Sequence, residues 1–304
     1  MSTTVATPPR APSTPPPAPP TRQVRRRSRL ARRLRRLPVV VLVTVLLVIV
    51  VAPLAWMVLG SFKTQAEFVN DPAWSLPGSW DFDNYVDAWT SGNLGTYVRN
   101  SLAATVPSLF LILAMGVAAG FALEVMVWRG RHKVLLVFLL GIMVPGQMIL
   151  LPLFRVYFQT GLSGTLWPLI ITYTATGLPL TVFMMATYFR AVPREVFEAS
   201  TLDGASMLRS FWTIGVPMAR NAVFTVALVQ FFFIWNDLLI SLTFTTDDSL
   251  RTIQVGLLNF TGSYGTEFGP LFAAICINVL GTLVLYLFIN QRVMKGLTNG
   301  AVKG

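Results

Sequence analysis

The chain has 304 residues, 54% hydrophobic and only 12% charged, with a formal net charge of +11. A soluble domain carries about twice that charged fraction, so the composition excludes an ordinary water-soluble enzyme. Several apolar runs reach the ~20 residues that cross a bilayer, and the chain reads as an all-α, polytopic membrane protein.

Residues 1–21 are mostly Pro, Thr, Ala and Ser, and residues 22–36, "RQVRRRSRLARRLRR", are strongly basic. Such composition cannot build a core, so 1–37 is expected to be a disordered Pro/Arg-rich tail. The apolar run that starts at Pro38 is too long for a signal h-region and lacks a small-residue cleavage site, which makes it a retained first span. Six transmembrane helices are expected: Pro38–Gly60, Asn100–Met126, Val134–Leu153, Gly164–Phe189, Met218–Ser241 and Pro270–Asn290. They form one transmembrane domain over 38–290, followed by a tail over 291–304.

An even number of spans puts both termini on one side, and charge selects the side. With both termini cytoplasmic, only Lys63, Arg99, Arg155 and Arg251 of the 24 Lys and Arg lie outside, as the positive-inside rule requires. The outer loops then gather the acids Glu67, Asp71, Asp81, Asp83, Asp87, Asp247, Asp248 and Glu267. The positive charge therefore reads as topology. The Arg-rich tail also suits anionic membrane lipid, and no aromatic interleaving supports a nucleic-acid partner. The long first outer loop, with "DPAWSLPGSWDFDNYVDAW" at 71–89, reads as an interfacial loop with Trp and Tyr at headgroup level; a landing surface for an external partner is the alternative. "TATGLPL", Thr174–Leu180, places Gly and Pro inside the fourth span, where a kink or an unwound turn is expected.

Between the fourth and fifth spans lies "VPREVFEASTLDGASMLRSFWTIGVP", Val192–Pro217, within a cytoplasmic segment over 190–217. Pro193 suits the start of a helix, and Glu195 and Glu198 suit its positive N-terminus. Val196, Phe197 and Ala199 can rest against the membrane body. Asp203–Gly204 ends this helix, and Ser206 caps a second, whose apolar stripe is Met207, Leu208, Phe211 and Ile214. The second helix is expected to lie along the inner surface, with Pro217 turning the chain into the fifth span. Small residues at Ala199, Ser200, Gly204 and Ala205 allow another protein to come close. An ordinary amphipathic connector is the competing reading.

Polar side chains are costly in lipid, so those within spans either line a solute path or bond helix to helix. The candidates are Gln147, Tyr173, Thr174, Thr176, Gln230 and Asn278. Asn236 and Asp237 fall about 30 Å along the fifth span from Pro217 at ~1.5 Å per residue, at the outer mouth, where a structural or gating role is expected. The single cysteine, Cys276, reads as a packing residue, and the single histidine, His132, has no ligand cluster around it, so no metal site is expected. There is no GxxxxGK[ST] loop, no nucleophile elbow and no pair of intramembrane carboxylates. The chain therefore lacks machinery of its own for ATP hydrolysis or acyl transfer and is not read as an enzyme.

The segment "EASTLDGASMLRSFWTIGVP" closely resembles the EAA loop of ATP-binding-cassette (ABC) importer permeases. Glu198, Ala199, Asp203, Gly204, Ala205, Phe211, Ile214 and Pro217 match that pattern, whereas Ser200 replaces its second alanine and Val216 the leucine before the proline. "LAWMVLGSFKT", "FFFIWNDLLISL" and "INQRVMKGLTNGAVKG" are similar to segments of the carbohydrate-uptake branch, the last to the ending of the second permease subunit of maltose-type systems. The resemblance runs from about residue 40 to the end. It implies a sugar permease of a prokaryotic cytoplasmic membrane, working by alternating access. The loop is then the coupling helix that docks on a separate ATPase, with Glu198 facing basic or polar groups, Ala199 and Ala205 permitting close packing and Gly204 making the turn. The implied partners are a second permease subunit in a heterodimer, two ATPase subunits and an extracytoplasmic solute-binding protein. ATP and Mg belong to the ATPases, and this chain binds no cofactor. Phe231, Phe233 and Trp235 are aromatic neighbours suited to a sugar. The alternatives are an EAA-loop importer of a non-sugar solute, an ion-coupled carrier or a membrane scaffold. An ion-coupled carrier predicts carboxylates at mid-membrane, but the acids within the spans are Glu124, near one end, and Asp237, near the other.

Overall fold

In hydrocarbon every backbone N–H and C=O must be bonded within the protein, and an α-helix does this inside one segment. The apolar runs accordingly become helices. The computed structural model describes residues 22–80, 82–262 and 265–301; the Pro-rich stretch 1–21 lies outside the described residues. The first helix, α1 (Arg22–Gly60), begins well before Pro38. The basic stretch expected within the disordered tail is thus helical from Arg22, consistent with its content of Arg, Leu and Ala, all strong helix formers. Short helices α2 (Gln65–Asn70) and α3 (Asp83–Trp89) follow, then α4 (Leu94–Glu124), which starts a turn and a half before the expected second span.

The expected third span is not one helix. It is divided into α5 (Arg131–Ile142) and α6 (Gly146–Gln159), bent by 93° across Met143–Pro145. Pro145 disfavours the helical region at Val144 and starts the next helix. Helix α7 (Trp167–Ala191), by contrast, runs unbroken through Pro179, so the unwound turn expected at 174–180 does not occur. There the helix is clamped from both sides: Gly177 packs on Ile112 and Gln230, and Thr181 on Gly116.

Helices α8 (Glu195–Leu202) and α9 (Met207–Ser210) lead to α10 (Val216–Trp235). Helix α10 stops six residues short of Ser241, and the chain resumes as α11 (Leu239–Phe244). After α12 (Ile253–Gly256), an antiparallel hairpin pairs β1 (Thr261–Gly262) with β2 (Gly265–Thr266) in the register Thr261 to Thr266. Helix α13 (Phe268–Ala301) closes the fold, so the expected tail from 291 continues the helix as far as Ala301. Among the described residues, the stretches Pro38–Gly60, Leu94–Glu124, Trp167–Ala191 and Met207–Trp235 are long and apolar enough to cross a membrane. The bent pair α5–α6 adds a fifth candidate, and Phe268–Val284 is apolar but shorter. The chain is a helical, multi-pass membrane protein.

The tightest packing joins α4 to α7. A Cβ on Gly116 would lie 2.3 Å from Thr181 Cγ2, and one on Gly120 would lie 2.6 Å from Met185 Cβ and 2.9 Å from the Ala186 nitrogen. Small residues let the two backbones touch, the usual means of helix association where lipid offers no hydrophobic gain. Gln230, buried, adds α10 to this pair: its Nε2 donates to Gly177 O and to Thr181 Oγ1, both at 2.9 Å. At the opposite end from the 190–217 loop, Asn100 Nδ2 donates to Ser249 O and Arg251 O, and Ser101 Oγ accepts from Ile253 N. These bonds hold the segment 248–253 on the start of α4.

The loop after α1 is built on Thr64 and Glu67, a reciprocal capping box on α2. Glu67 also accepts from Gly78 N at 2.7 Å, which folds the loop back on itself. Phe62 packs on Trp80, Phe82 and Tyr85, while Trp74 stays 83% exposed.

Replacing Gly120 by Val should lower stability by about 1–3 kcal/mol through overpacking, measured as a lower unfolding midpoint in detergent. Gly146→Ala, where a Cβ meets nothing within 4 Å, should leave the midpoint unchanged. A second expectation concerns acid. Backbone N–H groups of Thr64 and Gly78 hold the Glu67 carboxyl below its usual 4.5. A depressed folded pKa stabilises above the unfolded value and fades as pH falls through the folded one. The midpoint difference between wild type and Glu67→Gln should therefore be full at about pH 6 and shrink steadily below 4.5.

Candidate functional site

The segment 190–217 folds largely as the chemistry of its residues directs, with one main exception. Pro193 sits just before the cap of α8 rather than inside the helix, with Glu195 and Glu198 in the first turn. Glycine ends α8: Gly204 has φ +78°, its N–H bonds Thr201 O, and the Ala205 N–H reaches back to Ser200 O, both at 3.0 Å. This is the Schellman closure, which needs a left-handed residue at that point. Ser206 then caps α9, its Oγ accepting from Arg209 N.

The exception is the join to the fifth span. The second helix does not lie flat and then turn at Pro217. It continues through a π-turn, Phe211–Gly215, directly into α10, giving one rod from Met207 to Trp235. Pro217 lacks an N–H and follows the π-turn directly, inside the continuous rod. The wider turn accommodates it, with Val216 N bonding Phe211 O.

One side of this loop is anchored. Phe121 of α4 meets the rings of Phe189, Phe197 and Phe211 edge-on, at centroid distances of 5.5, 5.5 and 5.1 Å. Phe197 and Phe211 are buried, and Val196 and Ile214 partly so, whereas Ala199 faces solvent and not the membrane body as expected. Ser200, the departure from the resemblance, is buried and shares a 2.8 Å hydrogen bond with Ser210 that ties α8 to α9. The other side is bare. Glu198, Ala199, Asp203 and Gly204 are exposed, and Leu202, Leu208 and Trp212 are 89%, 69% and 62% exposed. Exposed apolar side chains thus stand beside small and acidic residues on this side of the loop. Sequence reasoning missed Leu202 and Trp212; they stand out only once the turn geometry fixes which face is covered.

Between the loop and the ends of α4 and α7 is a cavity of about 350 Å³ lined by Glu124, Arg190, Arg194, Phe197, Glu198 and Met207, among others. Glu124 is nearly buried and bonds Arg190 at 2.5 Å, and the Arg131 guanidinium donates to the backbone carbonyls of Glu124 and Met126.

The polar residues expected along a solute path divide into three groups. Tyr173 OH donates to Asp237 Oδ2 at 2.9 Å, and the same oxygen accepts from Ser241 N, so Asp237 holds the start of α11 beside α7. Gln230 bonds α7, and Thr176 bonds its own helix at Thr172 O. In these the bonding is from helix to helix or within one. Thr174 Oγ1 is buried with no partner among the described residues, and Gln147 is exposed just after the α5–α6 bend. Asn236 and Asn278 come together. They line one open cleft of about 390 Å³ with Phe232, Thr282 and Tyr286. Asn278 accepts from Trp235 Nε1, and Asn236 Nδ2 donates to Phe232 O.

Residues 112–293 match the family described as binding-protein-dependent transport system inner membrane component. A diacetylchitobiose uptake system permease protein of Streptomyces coelicolor is 33% identical over 255 residues, covering 83% of this chain and 84% of that one. A melibiose/raffinose/stachyose import permease protein of Bacillus subtilis is 30% identical, covering 83% and 91%. The fold is that of a chain in a bacterial ABC transporter involved in import of the acidic polysaccharide alginate, with a TM-score of 0.75 at 19% identity, covering 86% of this chain and 97% of that one.

Phe121→Ala should remove the anchor of the loop at a cost of about 3–5 kcal/mol. Trypsin cleavage after Arg194 and Arg209 should accelerate, while Leu202→Ala, at a bare position, should stay within about 0.5 kcal/mol of wild type.

Proposed function

The chain belongs to the family of binding-protein-dependent transport system inner membrane components, and from that premise we propose that it is the permease subunit of an ABC importer for a sugar or oligosaccharide. The relatives described above are named for diacetylchitobiose and for melibiose, raffinose and stachyose, which supports a carbohydrate cargo. The observation that carries the mechanism is the 190–217 loop: anchored on one side by Phe121 and bare on the other, with a small-sided tip at Gly204. Such a surface suits docking into a cleft of a partner ATPase. Glu198 meets polar or basic groups there, Ala199, Asp203, Gly204 and Ala205 allow close approach, and Phe211, Ile214 and Pro217 carry movement into α10. The ATPase subunits bind ATP and Mg, and their closure rocks the loop and the helices attached to it.

In this reading the chain crosses the cytoplasmic membrane of a prokaryote six times, counting the bent pair and α13, with both termini cytoplasmic. It pairs with a second, different permease subunit, and an external solute-binding protein delivers the sugar. Asn236 and Asn278, with Phe232 and Tyr286 beside them, offer amide and aromatic groups to a solute path. Gln147, Thr176, Gln230, Tyr173 and Asp237 contribute to that path or to its gate at the far end.

The deciding experiment is uptake of labelled oligosaccharides by the complex reconstituted in proteoliposomes. Wild type should accumulate sugar only with internal ATP. Glu198→Lys and Gly204→Asp should abolish uptake and release the ATPase subunits on purification. Uptake indifferent to ATP and to both changes, but driven by an ion gradient, would overturn the proposal.

A further inference from the structure

Helices α4 and α7 meet at Gly116, which receives the Thr181 side chain, and at Gly120, which lies against Met185 and the Ala186 nitrogen. At the loop end the seam terminates in a polar contact. Glu124, the last residue of α4, has a side chain only 7% exposed, and its Oε1 accepts from Nη2 of Arg190, the penultimate residue of α7, at 2.5 Å. Arg131 donates to the backbone carbonyl of Glu124 and not to its carboxylate, so among the described residues Arg190 is the one cation hydrogen-bonded to this group. Removing Arg190 would leave this nearly buried carboxylate without its cation, which is destabilising.

Its position gives it a use. Only Val192, Pro193 and Arg194 separate α7 from α8, and Val192 is itself buried in the Phe121 cluster. A displacement of α8 therefore reaches α7 at Arg190. If α7 slid along α4 there, the movement would be lost. If the two are locked, they move as one body, and Tyr173, about 25 Å away along the same helix at ~1.5 Å per residue, carries it to Asp237 at the break between α10 and α11.

We propose that the Glu124–Arg190 ion pair is the positioning contact that locks α4 to α7 so that movement of the 190–217 loop is transmitted and not dissipated. This rests on the importer reading above; Arg190 stands at the first position of the loop segment and lines the same cavity as Glu198, so retention of the ATPase subunits is scored beside the ratio. A merely structural contact would lower hydrolysis and uptake together. A transmission contact changes their ratio.

The test compares wild type, Glu124→Gln, Arg190→Gln, Arg190→Lys and the Gln/Gln double variant in the full reconstituted complex, measuring ATP hydrolysed per sugar moved. Each Gln variant should raise that ratio about tenfold, within the usual range of couplings between sites, with the ATPase subunits still bound. Arg190→Lys should recover part of the coupling, and the double variant should be no worse than the poorer single one, because both remove the same contact. An unchanged ratio, or hydrolysis and uptake falling in proportion, overturns the proposal. Should a single variant fail to assemble because it leaves one charge unpaired, the Gln/Gln double variant decides, since it removes both charges at once. A readout independent of cargo keeps the two readings separate. Spin labels on cysteines placed at Val127 and Ala191, in a Cys276→Ala background, should keep a constant distance with and without ATP in wild type and a broadened one in Arg190→Gln. A wild-type distance that changes with ATP overturns the lock. A wild-type complex that moves no sugar under ATP overturns the importer reading alone.

Discussion

The contact on which the rest of the molecule depends is the one between the backbones of α4 and α7. Gly116 and Gly120 leave no room for a side chain between the two helices. In lipid such closeness must come from small residues, because apolar side chains gain little by leaving hydrocarbon for each other. With that seam closed, Phe121 projects toward the loop end, where three rings gather on it. Gln230 adds α10 at the middle of the seam, and Tyr173 brings Asp237 to its far end. The loop and the break after α10 are thus attached to one body.

Polar groups inside this body are used sparingly and chiefly for joining helices. Gln230 and Asn278 each bond a neighbouring helix, and Tyr173 bonds Asp237 at the break between α10 and α11. A buried amide or hydroxyl in a membrane is costly without a partner, so these bonds specify which helices lie side by side. Asn236 and Asn278 differ from the others in lining a cleft beside two aromatic rings, a lining typical of small-molecule sites, mostly apolar with a few polar groups.

The existence of the apolar helices was legible from run length alone, because the cost of unbonded backbone in lipid leaves few alternatives. Where they bend was not. Pro145 breaks a span and Pro179 does not; the difference lies in the neighbours, since α4 and α10 press on Gly177 and Thr181, and a sequence does not display its neighbours. In the loop, Gly204 and Ser206 acted as local chemistry predicts. The π-turn, the Ser200–Ser210 bond and the Glu124–Arg190 pair were invisible, since each depends on residues brought together by packing and not by spacing. Ser200 is instructive: expected among the small residues that let another protein come close, it is buried, and its hydroxyl fastens the two loop helices.

The π-turn at Phe211–Gly215 makes the second loop helix and the fifth span one rod from Met207 to Trp235. At ~1.5 Å per residue its length is about 43 Å, and a rod of that length is a lever. With the pivot near the Phe121 anchor, the short arm lies in the loop and the long arm runs through the membrane. Tilted by about 10° together with the α4–α7 body to which Gln230 bonds it, the rod would carry its far tip roughly 6 Å, over the ~36 Å from Phe211 to Trp235. A small push at one surface would thus be enlarged before it reached the other, without any helix having to melt.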